Sequence, residues 1–345
     1  MTLPLIYDLD LHELKTRLEA WKMPAYRADQ IWQGLYREFW NTPDQFTNLP
    51  VLLRRKLADH FTFEALSPIK VLSSKDHQTI KSLLQAHDGQ AVEAVLMRYD
   101  KRQTLCISTQ VGCAMGCVFC ATGQMGFRRH LTSGEIVAQV LFYARQLHHQ
   151  GEAVTNIVLM GMGEPFHNYQ NTLSAIDRLN DPQGFNFGAR RFTISTVGLV
   201  PAIRRFAAEK RQVNLAISLH AANDALRNSM LPVNKKYPLE QVLAASLEYV
   251  AATGRRITFE WALVHEVNDT PEQAHQLVRQ LKGLLCHVNV IPLNPTHGYT
   301  GRATTHERAE KFKQILTEAG IPCTIRLRRG IDIQAGCGQL ASEQE

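Results

Sequence analysis

Three thiols fall within eight residues at Cys113, Cys117 and Cys120, "CAMGCVFC", in a chain of 345 residues that holds only seven cysteines. Thiolates are soft ligands that select zinc, copper(I) or iron-sulfur clusters. Structural zinc takes a closed tetrahedral set, completed as a rule by a second Cys-x-x-Cys or a His pair about 12 to 20 residues further on. His130 stands alone in that window, and His148 and His149 lie beyond a predicted helix. A spacing of three residues and then two suits a cubane cluster that gains three protein ligands and leaves one iron open. An open metal position is a catalytic position.

Other residues of chemical interest lie outside this loop. In "GMGEP" the glycines Gly161 and Gly163 let the backbone approach a ligand closely, and Glu164 beside them can pair with a cation. A tight turn after a strand would serve the same residues. Ser195, Ser218, His220 and Asn294 each read, taken singly, as satisfied loop residues. Free cysteines are usually small buried hydrophobes, the reading given to Cys286 and Cys323. Cys337 differs: in "QAGCGQL" it sits between two glycines, where a thiol can swing between positions.

The elements that must position these residues follow from periodicity. From Thr104 onward runs rich in β-branched residues alternate with amphipathic stretches: "TLCIST", "TNIVLM", "FTIST", "VNLAISL", "ITFEWALV", "HVNVIPL" and "CTIRL". Helices are predicted from about Thr132 to His148 and from about Tyr169 to Leu179. Such alternation gives a parallel sheet covered by helices. Six βα units are too few for a closed eightfold barrel, and no Gly-x-Gly-x-x-Gly turn follows the first strand. The expected fold is α/β, a partial, open (β/α)6 TIM-type barrel over residues 104–345, whose chemistry sits at the C-terminal ends of its strands. Cys113, Glu164, Ser195, Ser218 and Asn294 all fall at such ends. Ahead of the barrel, Leu11, Leu14, Leu18 and Trp21, then Ile31, Leu35 and Phe39, repeat every three or four residues and predict a helical accessory module over residues 1–70. A strand-containing extension over 71–103 follows, with "TIKSLLQA" and "AVEAVLMRY" as a hairpin around His87-Asp88-Gly89.

Composition narrows the setting. An N-terminus that meets Asp8 and Asp10 without a basic region, and the lack of a long apolar run, argue against export and membrane insertion. An odd cysteine count clustered on one loop argues for a reducing, cytoplasmic compartment over a disulfide framework. The net charge of +6, gathered in doublets such as Arg128-Arg129, Arg204-Arg205 and Arg328-Arg329, permits a polyanionic partner; solvated surface charge would look the same.

Cys-x-x-x-Cys-x-x-Cys with Phe119 before the last cysteine resembles the radical S-adenosylmethionine (SAM) enzymes, whose open iron chelates the amino acid end of SAM. "TLCISTQVGCAMGCVFCATGQMGFRRHLTSGEIVAQV", "GMGEP", "ISTVG", "ISLHAANDALRNSMLPVNKKYPL", "HVNVIPLNP" and "GIDIQAGCGQL" narrow it: nearly the whole chain resembles the RlmN/Cfr family of 23S rRNA adenine methyltransferases. The resemblance implies a radical-SAM barrel and a 4Fe-4S cluster on Cys113, Cys117 and Cys120. It implies that Gly163 and Glu164 bind the SAM ammonium, and that Ser195, Ser218, Leu219, His220 and Asn294 hold the rest of SAM. It also implies a use for two thiols outside the cluster. Cys337 takes a methyl group from one SAM, and a radical made from a second SAM removes a hydrogen from that methyl. The carbon adds to adenine, and Cys106 then releases the product by forming a transient disulfide with Cys337. Glu93 is implied as proton acceptor; from the residues alone it reads as an exposed glutamate on a strand.

A carrier is needed because C2 and C8 of adenine are electrophilic carbons that cannot attack the sulfonium methyl. The implied partners are RNA (23S rRNA, with tRNA a second substrate in part of the family) and an electron donor such as flavodoxin or ferredoxin, acting on a monomer. C2 methylation is preferred over C8. "CATGQMG" and "GIDIQAGCGQL" lean toward the C8 enzymes, "PVNKKYPL" and "VIPLNP" toward the C2 enzymes. A zinc-stabilised, non-catalytic RNA-binding protein is the alternative of another class, and it leaves GMGEP, Cys106 and Cys337 without a use.

Overall fold

The computed structural model describes residues 3–341. Three helices come first: α1 (Leu11–Ala20), α2 (Tyr26–Tyr36) and α3 (Val51–His60). Asp10 and Glu13 close the start of α1 as a reciprocal capping box. Leu14, Leu18, Ile31 and Leu35 are buried, as their spacing predicts. Phe39 falls outside the helical series, because α2 ends at Tyr36 and Phe39 takes a left-handed φ of +58°.

β1 (Leu66–Ser73), β2 (Thr79–Ala86) and β3 (Ala91–Tyr99) form an antiparallel meander. The predicted hairpin is β2–β3, turned at Gly89 with φ +78°. β3 pairs antiparallel with β4 (Arg102–Cys106), which carries the meander into the main sheet. A small cap follows, with β5 (Gln110–Gly112), the short α4 (Ala121–Gln124) and β6 (Phe127–His130). Next come α5 (Ser133–His149), β7 (Asn156–Leu159), α6 (Tyr169–Asn180), β8 (Phe192–Thr196), α7 (Val200–Ala208), β9 (Asn214–Ser218), α8 (Asp224–Met230) and α9 (Leu239–Thr253). β10 (Ile257–Leu263), α10 (Pro271–Leu281), β11 (Cys286–Pro292), α11 (His306–Glu318) and β12 (Cys323–Ile325) complete the barrel.

The strands β4, β7, β8, β9, β10, β11 and β12 pair in that order, all parallel. Six strand–helix units precede the short β12, and the ten-stranded sheet ends at β1 and β12 without closing. This is the expected open (β/α)6 barrel. Period-two alternation sorts its side chains. Phe259, Trp261 and Leu263 of β10 are fully buried, Trp261 against Phe312 of α11, whereas Glu260 and Ala262 between them line the interior cleft.

Polar contacts dock the segment ahead of α1 and the turn after α2 on α5 and α6. Asp8 Oδ1 accepts from the Gly134 N–H (2.8 Å) in the first turn of α5, where an anion meets the positive end of the helix. Arg178 of α6 donates to the carbonyls of Asp8 and Leu9, and Arg145 of α5 to the Phe39 carbonyl (3.0 Å) and the Tyr7 hydroxyl (3.1 Å).

Candidate active site

The cysteine loop leaves β5 through a contact that only glycine permits. A Cβ on Gly112 would lie 1.8 Å from the Gly126 carbonyl oxygen, and that oxygen instead accepts from the Cys113 N–H at 3.0 Å. The loop then folds back on itself, with the Cys120 N–H donating to the Cys117 carbonyl (3.2 Å) and Phe119 edge-on to the His220 ring (4.9 Å between centroids). Burial pushes the Cys113 thiol up to about 12 and raises Cys117 and Cys120 above the ordinary thiol value. Three thiols so placed ionise readily only beside a cationic metal centre. Among the described residues no three His, Cys, Asp or Glu groups are gathered tightly enough for a single ion. A polynuclear cluster spreads its ligands more widely than one ion does.

The GMGEP turn follows β7. The N–H of Met162 donates to the Ser108 hydroxyl (2.8 Å), and Gly163 adopts φ +100° with no room for a side chain, since a Cβ would meet Gln110 at 2.6 Å. Gln110 organises this turn: its Oε1 accepts from the Glu164 N–H (2.8 Å), while its Nε2 reaches Nδ1 of both His130 (3.0 Å) and His167 (3.1 Å). The Glu164 carboxylate is buried, accepts from the N–H groups of Phe166 (3.0 Å) and Val197 (2.8 Å), and has its pKa raised by burial to about 7. Among the described residues no cation pairs with it.

Ser195 is the penultimate residue of β8 and Ser218 ends β9, and both face the same cleft as the three cysteines, Gly163 and Glu164. His220, at φ +61°, accepts the Ala262 N–H on Nδ1 (2.9 Å); burial lowers its pKa to about 3, so the ring is neutral. Asn294, beyond β11, donates through Nδ2 to the Cys337 carbonyl (3.0 Å), and its buried Oδ1 has no partner. Leu219 is placed differently: its side chain is fully buried and does not line the cleft, and its N–H donates to the Glu260 carbonyl (3.0 Å). The cleft holds about 980 Å³ of space that opens to solvent.

Cys337 lines this cleft and also an adjoining cavity, which Cys106 lines from the end of β4. Burial pushes the Cys106 thiol up to about 12. All seven cysteines are free thiols, so the Cys106–Cys337 disulfide that the resemblance implies as a transient of turnover is not present here. Both sulfurs instead lie near Arg326, whose guanidinium stands 3.7 Å from Cys337 Sγ and 3.8 Å from Met97 Sδ. Glu93 is not exposed, as its position on a strand suggests, but buried in a third cavity. There Lys81 Nζ lies 2.8 Å from Oε1, and the Ala341 N–H donates to Oε2 (3.0 Å). Sequence reasoning missed Gln110, Arg326 and Glu260, which lines the cleft and accepts from Asn289 Nδ2 (2.7 Å). Each gains its place only through the fold.

The sequence pattern of the Radical SAM superfamily matches residues 107–278, from the end of β4 into α10. The "Dual-specificity RNA methyltransferase RlmN 1" of Myxococcus xanthus is 49% identical over 340 residues, covering 99% of this chain and 95% of that protein. This chain belongs to the RlmN family of radical SAM methyltransferases. A "Probable dual-specificity RNA methyltransferase RlmN" of Chloroflexus aurantiacus is likewise 49% identical, over 97% of this chain and 92% of its own. The crystal structure of a radical SAM methyltransferase from Sphaerobacter thermophilus superposes with a TM-score of 0.97, at 51% identity over 99% of this chain and all of that one. Membership in the RlmN family brings a 4Fe-4S cluster and SAM. The residues present fit both: a thiol loop on the cleft, a glycine cradle that a Cβ would fill, a buried carboxylate without a cation, and an unpartnered carbonyl on Asn294.

Proposed function

We propose that the chain methylates a ring carbon of adenosine in 23S rRNA, with C2 the target, and that tRNA is a second substrate; the dual specificity in its relatives' names is consistent with more than one RNA target. The observation that carries the reading is the place of Cys337, whose side chain lines both the cleft of the three cysteines and the cavity of Cys106. Cys113, Cys117 and Cys120 hold the cluster, which when bound supplies the electron that cleaves SAM reductively. Glu164, sealed from water, takes the SAM ammonium as its counter-ion, and Gly163 brings the backbone close enough for it to do so. Ser195, Ser218, His220 and the open Asn294 Oδ1 offer polar groups to the remainder of the cosubstrate.

Cys337 loses its thiol proton and attacks the methyl of one SAM, forming an S-methyl group and releasing S-adenosylhomocysteine; a second SAM is spent in activating that S-methyl group. Arg326, whose guanidinium stands beside its sulfur, holds that sulfur in place for the attack. Once the methylene carbon has bonded to the base, the adduct radical gives back the one electron spent on SAM and Glu93 takes the ring proton. Cys106, as thiolate, then attacks the Cys337 sulfur; the S–C bond breaks, a disulfide forms, and the freed carbon takes a proton to become the methyl group of the departing base. A one-electron donor of the flavodoxin or ferredoxin kind serves the cluster, and the protein works as a cytoplasmic monomer. No helix among the described residues is long and apolar enough to cross a membrane.

Anaerobic reconstitution followed by assay on rRNA fragments and tRNA, with the product nucleoside identified by mass, tests the reading. The expected product is 2-methyladenosine. Recovery of 8-methyladenosine alone would overturn the regiochemistry, and colourless protein carrying one zinc would overturn the enzyme.

A further inference from the structure

The cavity shared by Cys106 and Cys337 is lined also by Tyr99, Arg328 and Arg329, with Leu327 beside them 77% exposed. Tyr99 gathers basic groups at its edge, one of them, Arg102, from outside the lining. The guanidinium of Arg102 lies 4.4 Å from the Tyr99 ring centroid and that of Arg329 4.3 Å from the same centroid. Arg329 is fixed further by donating to the Arg98 carbonyl (3.2 Å), and its buried Nε has no partner. Many arginines elsewhere are neutralised by carboxylates: Arg204 by Glu248, Arg211 by Asp177 and Glu209, Arg98 by Glu152. Among the described residues Arg102, Arg328 and Arg329 have no such ion pair. Asp76 feels Arg329 electrostatically, yet it is fully exposed and already bonded by the Ser74 hydroxyl (2.5 Å) and the Gln78 N–H (3.0 Å).

Two cations on one aromatic ring repel each other, and the arrangement gains most when an anion lies between or over them. Guanidinium groups match phosphate oxygens in geometry, and stacking on a ring pre-orients the fork. A base that reaches Cys337 must be unstacked, so its own phosphates come to the mouth of this cavity. We propose that Arg102 and Arg329, ordered on the Tyr99 ring, together with Arg328 of the cavity lining, clamp the phosphates flanking the target nucleotide of a single-stranded RNA loop and so aim its base at the two thiols. This rests on the RNA methyltransferase reading above.

The test is binding of a fluorescently labelled RNA stem-loop with an unpaired adenosine, measured by anisotropy on the cluster-loaded full chain across a range of salt. R102A/R329A is expected to weaken binding roughly tenfold and to flatten the slope of log K against log salt by about 0.7 for each phosphate no longer held. R102K/R329K keeps the slope while recovering only part of the affinity, because a point charge replaces the stacked fork. Iron content and SAM binding check that the variants are folded. Should the double variant itself lose iron, R328A, on an exposed side chain, must flatten the slope by about 0.7 alone. Unchanged affinity and slope in a folded variant would overturn the clamp. Wild-type protein that binds no RNA would overturn the RNA reading, a failure visible without any variant.

Discussion

A carboxylate sealed from water is costly unless a cation reaches it, and Glu164 is held in that state by two backbone N–H groups. Its pKa is raised from the ordinary 4.5 to about 7, so the empty folded protein binds this proton more tightly than the unfolded chain does. The stabilisation is therefore complete at acid pH and is lost as pH rises through about 7. SAM binding has the opposite sign, since its ammonium pairs with the ionised form. Affinity for SAM should fall roughly tenfold for each pH unit below the pKa. Calorimetric titration of cluster-loaded protein between about pH 5.5 and 8 checks this, and Glu164→Gln should bind weakly and without pH dependence. At the thiols, Cys337→Ala should abolish methyl transfer while retaining iron, whereas Cys106→Ala should accumulate a covalent protein–RNA adduct on denaturing gels. An active Cys337→Ala protein would defeat the carrier scheme. The roles of these two cysteines come from a likeness to known enzymes; Gln110 and Arg326 had no such cue. Gln110 matters through the Glu164 N–H, 54 positions away, and Arg326 through a thiol that shares its cavity only once β12 is in the sheet.

Elements convert these local demands into placement. The GMGEP turn works because Gly163 occupies φ +100° against Gln110. Gly163→Ala adds steric strain of about 1–3 kcal/mol and pushes the turn away from Gln110. It should cut SAM affinity at least as much as it lowers the chemical-denaturation midpoint, and a variant that binds SAM normally would show the turn to be only structural. The seven barrel strands were readable because parallel strands covered on both faces need near-continuous β-branched and apolar residues. β1 was not, since most of its residues are exposed and its register shifts between Pro68 and Lys70, which leaves no apolar face to detect. β5 and β6 escaped for another reason. Three or four residues are too few for a period, and they pair because Gly112 and Gly126 let two backbones touch.

On the scale of the whole molecule, the segments flanking α1 and α2 are tied to the barrel's outer helices by partly buried hydrogen bonds. Arg178→Ala strips the Asp8 and Leu9 carbonyls of a donor in a mostly buried joint and should cost about 1–3 kcal/mol in urea denaturation. A second fastening runs from the far end of the chain. The Ala121 N–H donates to the Gly338 carbonyl (2.7 Å) and the Thr122 hydroxyl to that of Leu340 (2.5 Å). Asn294 and Gln339 tie the same segment to the loop after β11. The helix that follows Cys120 is thus braced by residues more than two hundred positions downstream. During synthesis that brace reaches the ribosome exit long after the thiols do. Through that interval the cysteine loop lacks the brace that fixes α4 in the finished fold, so its geometry is completed only when the last segment has been made.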